Sequence, residues 1–562
     1  MTTSPPWVQN YKPGVPAEIE LPTESLVDLL TRSVAEAGPF TAMTFFGRTT
    51  SYAELGAQVQ QVAEGLRILG VEAGDRVAII LPNCPQHVVA FYAILRLGAV
   101  VVEHNPLATP HELGELFADH GAKVAICWDV AVQKLQAFPS DQQIPDIIAV
   151  NMLEEFPVVM QAALRLPVRK IRESRKALTA PTKATLPWRR VLNTEPLDPS
   201  TPRPTVDDLA VILYTSGTTG KPKGVMLTHF NVYSNALQGA AWMKDAQYRT
   251  ENFDAVLPMF HAFGMTLYLT YGVLRQANLV LFPRFDVDLV LKAAKKHPPT
   301  VYCAVPPIYR RTAEEAKKRG ISLTSAKYCI SGAMALTDDI VELWESVSGG
   351  LLVEGYGMTE SSPVAFGNPF WPTRKTGTIG VPFPSTRMKV VDQDDPTREV
   401  AQGEPGELLI KGPQVFGGYW NNPEETEAAL LPDGWLRTGD VVTVDSEGYA
   451  TLVDRKKELI ITGGFNVSPS EVEGVIRRVE GIDDVAVVGH IRPDGSEMIV
   501  AVVEADMFDE EAIRSHCRSE LSAYKVPKRV IRSDGELPRS LLGKVLRKQV
   551  RERLPQDLGR ES

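Results

Sequence analysis

The sequence predicts an α/β protein. It should have a large N-terminal domain of doubly wound α/β subdomains plus a β-rich subdomain, followed by a small α+β C-terminal domain. Three observations carry that expectation: strand–helix alternation from residue 76 onward, a stretch of short segments and turn residues at 390–453, and a fresh helix with two apolar runs after 469. Residues 76–81 (RVAIIL) read as a buried strand, and the apolar periodicity after Pro85 predicts a helix. Residues 99–102 then predict a strand, 110–120 a helix and 123–127 a strand, the alternation of a doubly wound sheet. The pattern resumes from 209 to about 354, with apolar runs at 210–214, 278–282 and 300–305. Shorter segments at 390–453 give the β-rich subdomain. Residues 469–479 open the last unit, with apolar runs at 485–488 and 498–503. The boundary is expected at 454–457, giving domains 1–454 and 455–562. Neither a repeat at solenoid spacing nor a low-complexity tract occurs.

A chain of 562 residues is long enough for two or more domains and a large core. Its 44% apolar and 23% charged residues suit an ordinary globular protein and exclude a collagen-like or wholly disordered one. Lys+Arg of 59 against Asp+Glu of 69 leaves a net charge of −10, which argues against a nucleic-acid partner. Cys84, Cys127, Cys303, Cys329 and Cys517 lie far apart with no CxxC pair. That dispersion predicts buried thiols in a reducing compartment, not disulfides or a zinc site. The first residues lack the basic and apolar regions of a signal peptide. The apolar stretch 91–102 is broken by Arg96 and falls short of the roughly 20 residues of a membrane span. The expected location is cytoplasmic.

One stretch opposes the acidic trend. In a basic insertion at about 156–190, Val158, Val159, Ala162 and Leu164 precede Arg165, Arg169, Lys170, Arg172, Arg175 and Lys176, with only Glu173 as offset among the cations. Two readings stay open. One is a solvated surface; the other is a segment resting on anionic lipid at the cytoplasmic membrane face, where each cation is worth ~1 kcal/mol. Pro157 and Pro167 limit any helix.

The strongest chemical signal is residues 214–224, YTSGTTGKPKG, directly after an apolar strand. Glycines let backbone N–H groups turn inward into an anion nest, hydroxyls add donors and lysines add charge. The spacing is not that of a Walker A loop, because Gly217 and Gly220 are too close and Pro222 follows Lys221. A phosphate-binding loop of another kind is indicated.

Residues 214–229 closely resemble the phosphate loop of the AMP-forming adenylating enzymes: acyl-CoA synthetases, peptide-synthetase adenylation domains and firefly-type luciferases. Residues 331–336 (SGAMAL), 354–360 (EGYGMTE), 434–440 (GWLRTGD), 454–469 (DRKKELIITGGFNVSP) and 537–548 (LPRSLLGKVLRK) follow in that family's order. The resemblance covers about residues 26–548, and it is to bacterial long-chain fatty-acid–CoA ligases that the layout is most similar. It implies ATP, Mg²⁺ and CoA as cofactor and substrates, a small carboxylic acid as partner, and a C-terminal domain that moves. Ser216, Gly217, Thr218, Thr219 and Gly220 would cradle the phosphates, with Lys221 and Lys223 beside them. Glu360 and Thr215 would hold Mg²⁺, as suits hard oxygen ligands. Tyr356 would stack on adenine in a pocket lined by Gly332, Ala333, Met334, Glu354, Gly355, Gly357, Met358 and Thr359. Asp440 would accept the ribose hydroxyls, Arg455 would reach ribose or phosphate, and Lys457 lies at the hinge. Lys544 would bridge the substrate carboxylate and the phosphate, making it catalytic with Glu360 and Lys221. Taken singly, Asp440 reads as a turn residue, Tyr356 as core and Lys544 as a solvated cation; co-occurrence gives them function.

The acid side is separable. Residues 257–269 (LPMFHAFGMTLYL) contain no Asp or Glu that could meet an α-ammonium group. Phe260, Phe263 and Met265 around His261 suit an alkyl or aryl wall. Gly463 and Gly464 would let a pantetheine arm approach closely. The expected function is a long- or medium-chain fatty-acid–CoA ligase. An aryl-CoA ligase, a fatty-acyl-AMP ligase loading a carrier protein, and a catalytically silent nucleotide-binding protein are the alternatives.

Overall fold

A computed structural model describes residues 5–215, 222–455, 458–462, 465–492, 497–521, 523–540, 543–555 and 558. Its contacts divide the chain into two compact units, Met1–Arg387 with Ile410–Leu436, and Met388–Leu409 with Arg437–Ser562.

Two large sheets build the first unit. The eight-stranded one runs Gly418–Tyr419, Lys223–Thr228, Leu209–Thr215, Val100–Glu103, Arg76–Ile80, Val124–Trp128, Asp146–Val150, Leu186–Pro187. Its centre is parallel, with Val77 opposite Val101 on one side and Val124 on the other. Strands covered on both faces bury every side chain, so they read as continuous apolar runs. All four residues of Val100–Glu103 are buried. Helix Pro85–Arg96 is buried along its whole length and opens on a proline, whose missing N–H costs nothing in the first turn. Helix Pro110–His120 starts at a capping box of Thr109 with Glu112 and stops at Gly121, where φ is +61°.

The nine-stranded sheet runs Val381–Pro382, Val364–Gly367, Leu352–Gly357, Tyr328–Ser331, Val301–Ala304, Asn252–Ala255, Asn278–Leu281, Thr41–Phe45, Arg48–Ser51. Its core layer packs Tyr302, Tyr309 and Trp344 against one another, with Tyr302 stacked on Trp344 at 4.9 Å. A four-stranded sheet of Arg387–Val391, Gly406–Lys411, Leu436–Val444 and Ala450–Arg455 corresponds to the expected β-rich stretch. The second unit then closes with helix Pro469–Ile476, the sheet Asp484–Ile491, Glu497–Glu504, Arg529–Arg532, and helices Glu510–Glu520 and Arg547–Glu552. The α/β class and the α+β C-terminal unit match expectation. All five cysteines are buried free thiols.

Asp254 stands out in the first unit. It is fully buried in strand Asn252–Ala255, and neither carboxylate oxygen has a hydrogen-bond partner. Desolvation raises its pKa well above the ordinary carboxyl value. The folded chain therefore holds a proton that the unfolded chain releases, so stability falls as pH rises above the carboxyl range. Denaturant melts of Asp254→Asn and parent should diverge between pH 5 and 8. The variant's advantage should grow by up to about 1.4 kcal/mol per pH unit. Parallel stability curves would contradict this assignment.

Candidate active site

The site of the first unit is organised by a hairpin. Leu209–Thr215 and Lys223–Thr228 pair antiparallel, placing Tyr214 opposite Gly224 and Thr215 opposite Lys223. Ser216, Gly217, Thr218, Thr219, Gly220 and Lys221, the expected phosphate loop, lie outside the described residues. On the other edge of Lys223–Thr228, the short strand Gly418–Tyr419 pairs Gly418 with Met226 and Tyr419 with Val225.

That short strand ties the hairpin to Glu360. Glu360 sits in the 3₁₀ turn Thr359–Ser361 and is buried. Its backbone carbonyl accepts from Phe416 N–H at 2.9 Å, and Tyr419 donates its phenol proton to Glu360 Oε1 at 2.8 Å. Burial and the Glu360 carboxylate push the phenol's pKa up, so Tyr419 keeps the proton it donates. Lys223 lies over the Tyr419 ring, 5.1 Å from its centroid, and pairs with Glu425 of helix Pro423–Ala429. Tyr419 and Glu425 escape sequence reasoning; the only local signal is their place in 418–426, GYWNNPEET. Among the described residues no group of three or more His, Cys, Asp or Glu could hold a metal. A buried carboxylate such as Glu360 fits Mg²⁺ chemistry only where a substrate's phosphates and waters supply most of the ligands.

Strand Leu352–Gly357 carries Glu354, Gly355, Tyr356 and Gly357, followed by Met358 and Thr359. Burial pushes the Glu354 carboxyl up to about 8. The Tyr356 ring is half-buried and edge-on to Phe366 at 5.8 Å. Gly332 is closely overlain: a Cβ there would stand 2.9 Å from the Phe263 ring and 3.5 Å from the Gly355 carbonyl. The expected nucleotide wall and the expected acyl wall therefore meet at Gly332. Ala333 next to it has φ +67°, and Met334 is half-buried.

On the acyl side, Phe260, His261 and Phe263 are half-buried and Met265 is buried. The His261 imidazole is pulled down to about 4 by desolvation, so it is neutral at pH 7. Its Nδ1 accepts from Phe263 N–H at 3.3 Å, which leaves the proton on Nε2. Met265–Gly272 forms a π-helix whose residues are all buried, a geometry common at functional sites. Asn83, which sequence reasoning missed, fixes the segment before His261. Its side-chain amide donates to the carbonyls of Ala255 and Leu257 at 2.9 and 2.8 Å, and its oxygen accepts from Met259 N–H at 2.8 Å.

In the second unit, Asp440 is buried and lies opposite Arg455 across paired strands. The Arg455 side chain, Lys457, Gly463 and Gly464 lie outside the described residues. Lys544 is half-buried; its carbonyl accepts from Ser540 N–H at 2.7 Å and its N–H donates to Ser540 Oγ at 3.2 Å. Three residues on, Arg547 gathers Asp454, Glu458 and Glu473, with Glu473 accepting at 2.9 and 2.8 Å. Burial opposes the guanidinium charge, but Glu473, Asp454 and Glu458 outweigh it and raise the pKa above the usual arginine value.

The basic insertion forms two short helices, Val158–Ala163 and Arg169–Lys176, despite its prolines. Pro157 stands at the first helix's N-cap, where a proline breaks no helical bond, and Pro167 falls between the two.

Residues 30–420 match the model of the AMP-binding enzyme family, and residues 471–544 that of the AMP-binding enzyme C-terminal domain. The chain belongs to the AMP-binding enzymes. It is 36% identical to a long-chain-fatty-acid–CoA ligase of Bacillus subtilis over 559 residues, 98% of each chain. It is also 31% identical to the 4-coumarate–CoA ligase 3 of Oryza sativa subsp. japonica over 521 residues, 90% of this chain and 88% of that one. Among solved structures, ATP-bound MatB from Rhodopseudomonas palustris is similar at a TM-score of 0.77 and 29% identity, covering 94% of this chain and 98% of that one. This AMP-binding enzyme is an ATP-dependent, AMP-forming acyl-CoA synthetase.

Proposed function

We propose that this synthetase activates medium- to long-chain fatty acids in the cytoplasm. The carboxylate attacks the α-phosphate of ATP to give acyl-AMP and pyrophosphate, and the CoA thiol then displaces AMP. The acyl segment supports this reading: Phe260, Phe263 and Met265 neighbour a neutral His261 along the chain, with no acid between 257 and 269. Such a wall favours an uncharged tail and offers nothing to an ammonium group. Similarity along the whole of a fatty-acid ligase adds weight. An aryl acid is the second reading, favoured by the two phenylalanines and by the 4-coumarate ligase similarity.

On this reading residues 216–221 and Lys223 hold the phosphates, Glu360 and Thr215 hold Mg²⁺, and Gly332–Met334 with residues 354–359 line the adenine pocket around Tyr356. Asp440 and Arg455 hold ribose, and Lys544 bridges carboxylate and phosphate. The domain from 455 onward rotates near Lys457 between the half-reactions, and Gly463 and Gly464 then line the pantetheine path. The basic insertion rests on an anionic membrane surface. Val158 and Val159, each 80% exposed, and Leu166 and Val168, about half exposed, stand beside its cations. No helix among the described residues is long and apolar enough to cross a membrane.

Three outcomes are expected. AMP release across a panel of acids should peak among medium- and long-chain fatty acids; a peak at benzoate or coumarate would favour the aryl reading. Lys544→Ala should slow carboxylate-dependent ATP–pyrophosphate exchange by roughly 10²–10³, through loss of a ~3–4 kcal/mol transition-state contact. Given synthetic acyl-AMP and CoA, it should still form thioester at close to the parent rate; equal damage to both halves would refute its assigned role. Replacing all six cations of 165–176 by Gln should weaken binding to anionic vesicles at low salt and leave activity on soluble medium-chain acids intact. Unchanged vesicle binding would count against the membrane contact.

A further inference from the structure

Four side chains between the hairpin and the Thr359–Ser361 turn form an alternating charge network, two members of which, Tyr419 and Glu425, have no role above. Glu360 accepts from the Tyr419 phenol at 2.8 Å, the Tyr419 ring lies under the Lys223 ammonium at 5.1 Å, and that ammonium is ion-paired with Glu425. Two carboxylates thus border one Tyr–Lys pair, Glu360 at the phenol oxygen and Glu425 at the ammonium. Glu425 is held in place by its own turn. Its N–H donates to Asn422 Oδ1 at 3.2 Å, and the next residue, Thr426, accepts from Tyr419 N–H at 2.9 Å and donates to the Asn422 carbonyl at 2.8 Å.

We propose that Glu425 is a positioning residue. It is the counter-ion that keeps the Lys223 ammonium over Tyr419, and it hands that ammonium to the phosphates of ATP. The inference rests on the reading of Lys223 as a phosphate-binding lysine. Paired with Glu425, the ammonium stays on the strand that leaves the glycine-rich loop. The two partners differ in exposure: the Lys223 side chain is 10% exposed and that of Glu425 31%. A nearly buried ammonium needs an anion at all times, whereas water can resolvate the more open carboxylate once the exchange has happened. The exchange is therefore an anion-for-anion swap at the lysine. Glu425 competes with every phosphate that Lys223 binds, whether of incoming ATP or of leaving pyrophosphate.

The test is a double-mutant cycle in the full chain, with Glu425→Gln, Lys223→Gln and their combination. It reads equilibrium ATP binding without acid, and ATP–pyrophosphate exchange with dodecanoate. Glu425→Gln should tighten the ATP Kd and lower the ATP KM by about fivefold, the scale of a partly exposed ion pair. Competition of pyrophosphate against ATP in the binding measurement should strengthen by a similar factor, and the KM for dodecanoate should not move. The gain should vanish in the Lys223→Gln background, and Glu425→Asp should return ATP affinity toward that of the parent. Unchanged or weaker ATP binding in Glu425→Gln would overturn the proposal, as would the same gain without Lys223. Glu425→Ala serves as a second variant if thermal melts show that the glutamine variant is unfolded. If the parent exchanges with no acid, the functional reading fails, while the ATP-binding arm still decides the role of Glu425.

Discussion

Opposite Thr215 stands Lys223, and the proposed nucleotide site of the first unit depends on that one cross-strand pair. A segment that presents backbone N–H groups to a polyanion needs a closed base, since otherwise the chain must lose conformational freedom each time the anion binds. The antiparallel register brings the entrance and exit of residues 216–222 side by side. The hairpin is in turn gripped between Val100–Glu103 and Gly418–Tyr419 in the eight-stranded sheet. Because Phe416 and Tyr419 both bond to Glu360, the acid is indexed to the same hairpin by backbone as well as side chain.

The second unit answers a different demand with a charged cluster. Arg547 satisfies three carboxylates from separate stretches of chain: Asp454 at the end of one strand, Glu458 shortly after it, and Glu473 in helix Pro469–Ile476. Removing one partner from a buried network leaves uncompensated charge, so such a cluster specifies a single arrangement of its segments more than it adds stability. Lys544, three residues earlier, inherits that fixed geometry. Its own backbone is tied to Ser540 in both directions.

Much of this was legible in the residues. Strands covered on both faces must be apolar throughout, so 76–81, 123–127 and 210–214 could be read directly, and helix 110–120 appears with the expected bounds. What could not be read is pairing between distant segments. Met43 lies opposite Leu279, a parallel contact with no local signature, and it brings Thr41–Phe45 into the nine-stranded sheet. At the proposed site, residues on Gly- and Thr-rich motifs announce themselves by composition. Tyr419, Glu425 and Asn83 do not, because their roles arise from what the fold sets opposite them. The short helices of the basic insertion show a milder effect: prolines limit a helix only inside it, and both sit outside.

Asn83 bears on how the proposed acyl wall can change within this scaffold. It belongs to the turn after strand Arg76–Ile80 of one sheet, yet its amide is spent entirely on the backbone leaving Asn252–Ala255 of the other. The carbonyls of Ala255 and Leu257 and the N–H of Met259 are thereby held to a fixed spacing. An insertion or deletion between 255 and 259 would disturb that spacing. Redesign of the proposed acyl wall should therefore exchange side chains in place and keep the length of this segment, and recombination crossovers belong outside 83–259.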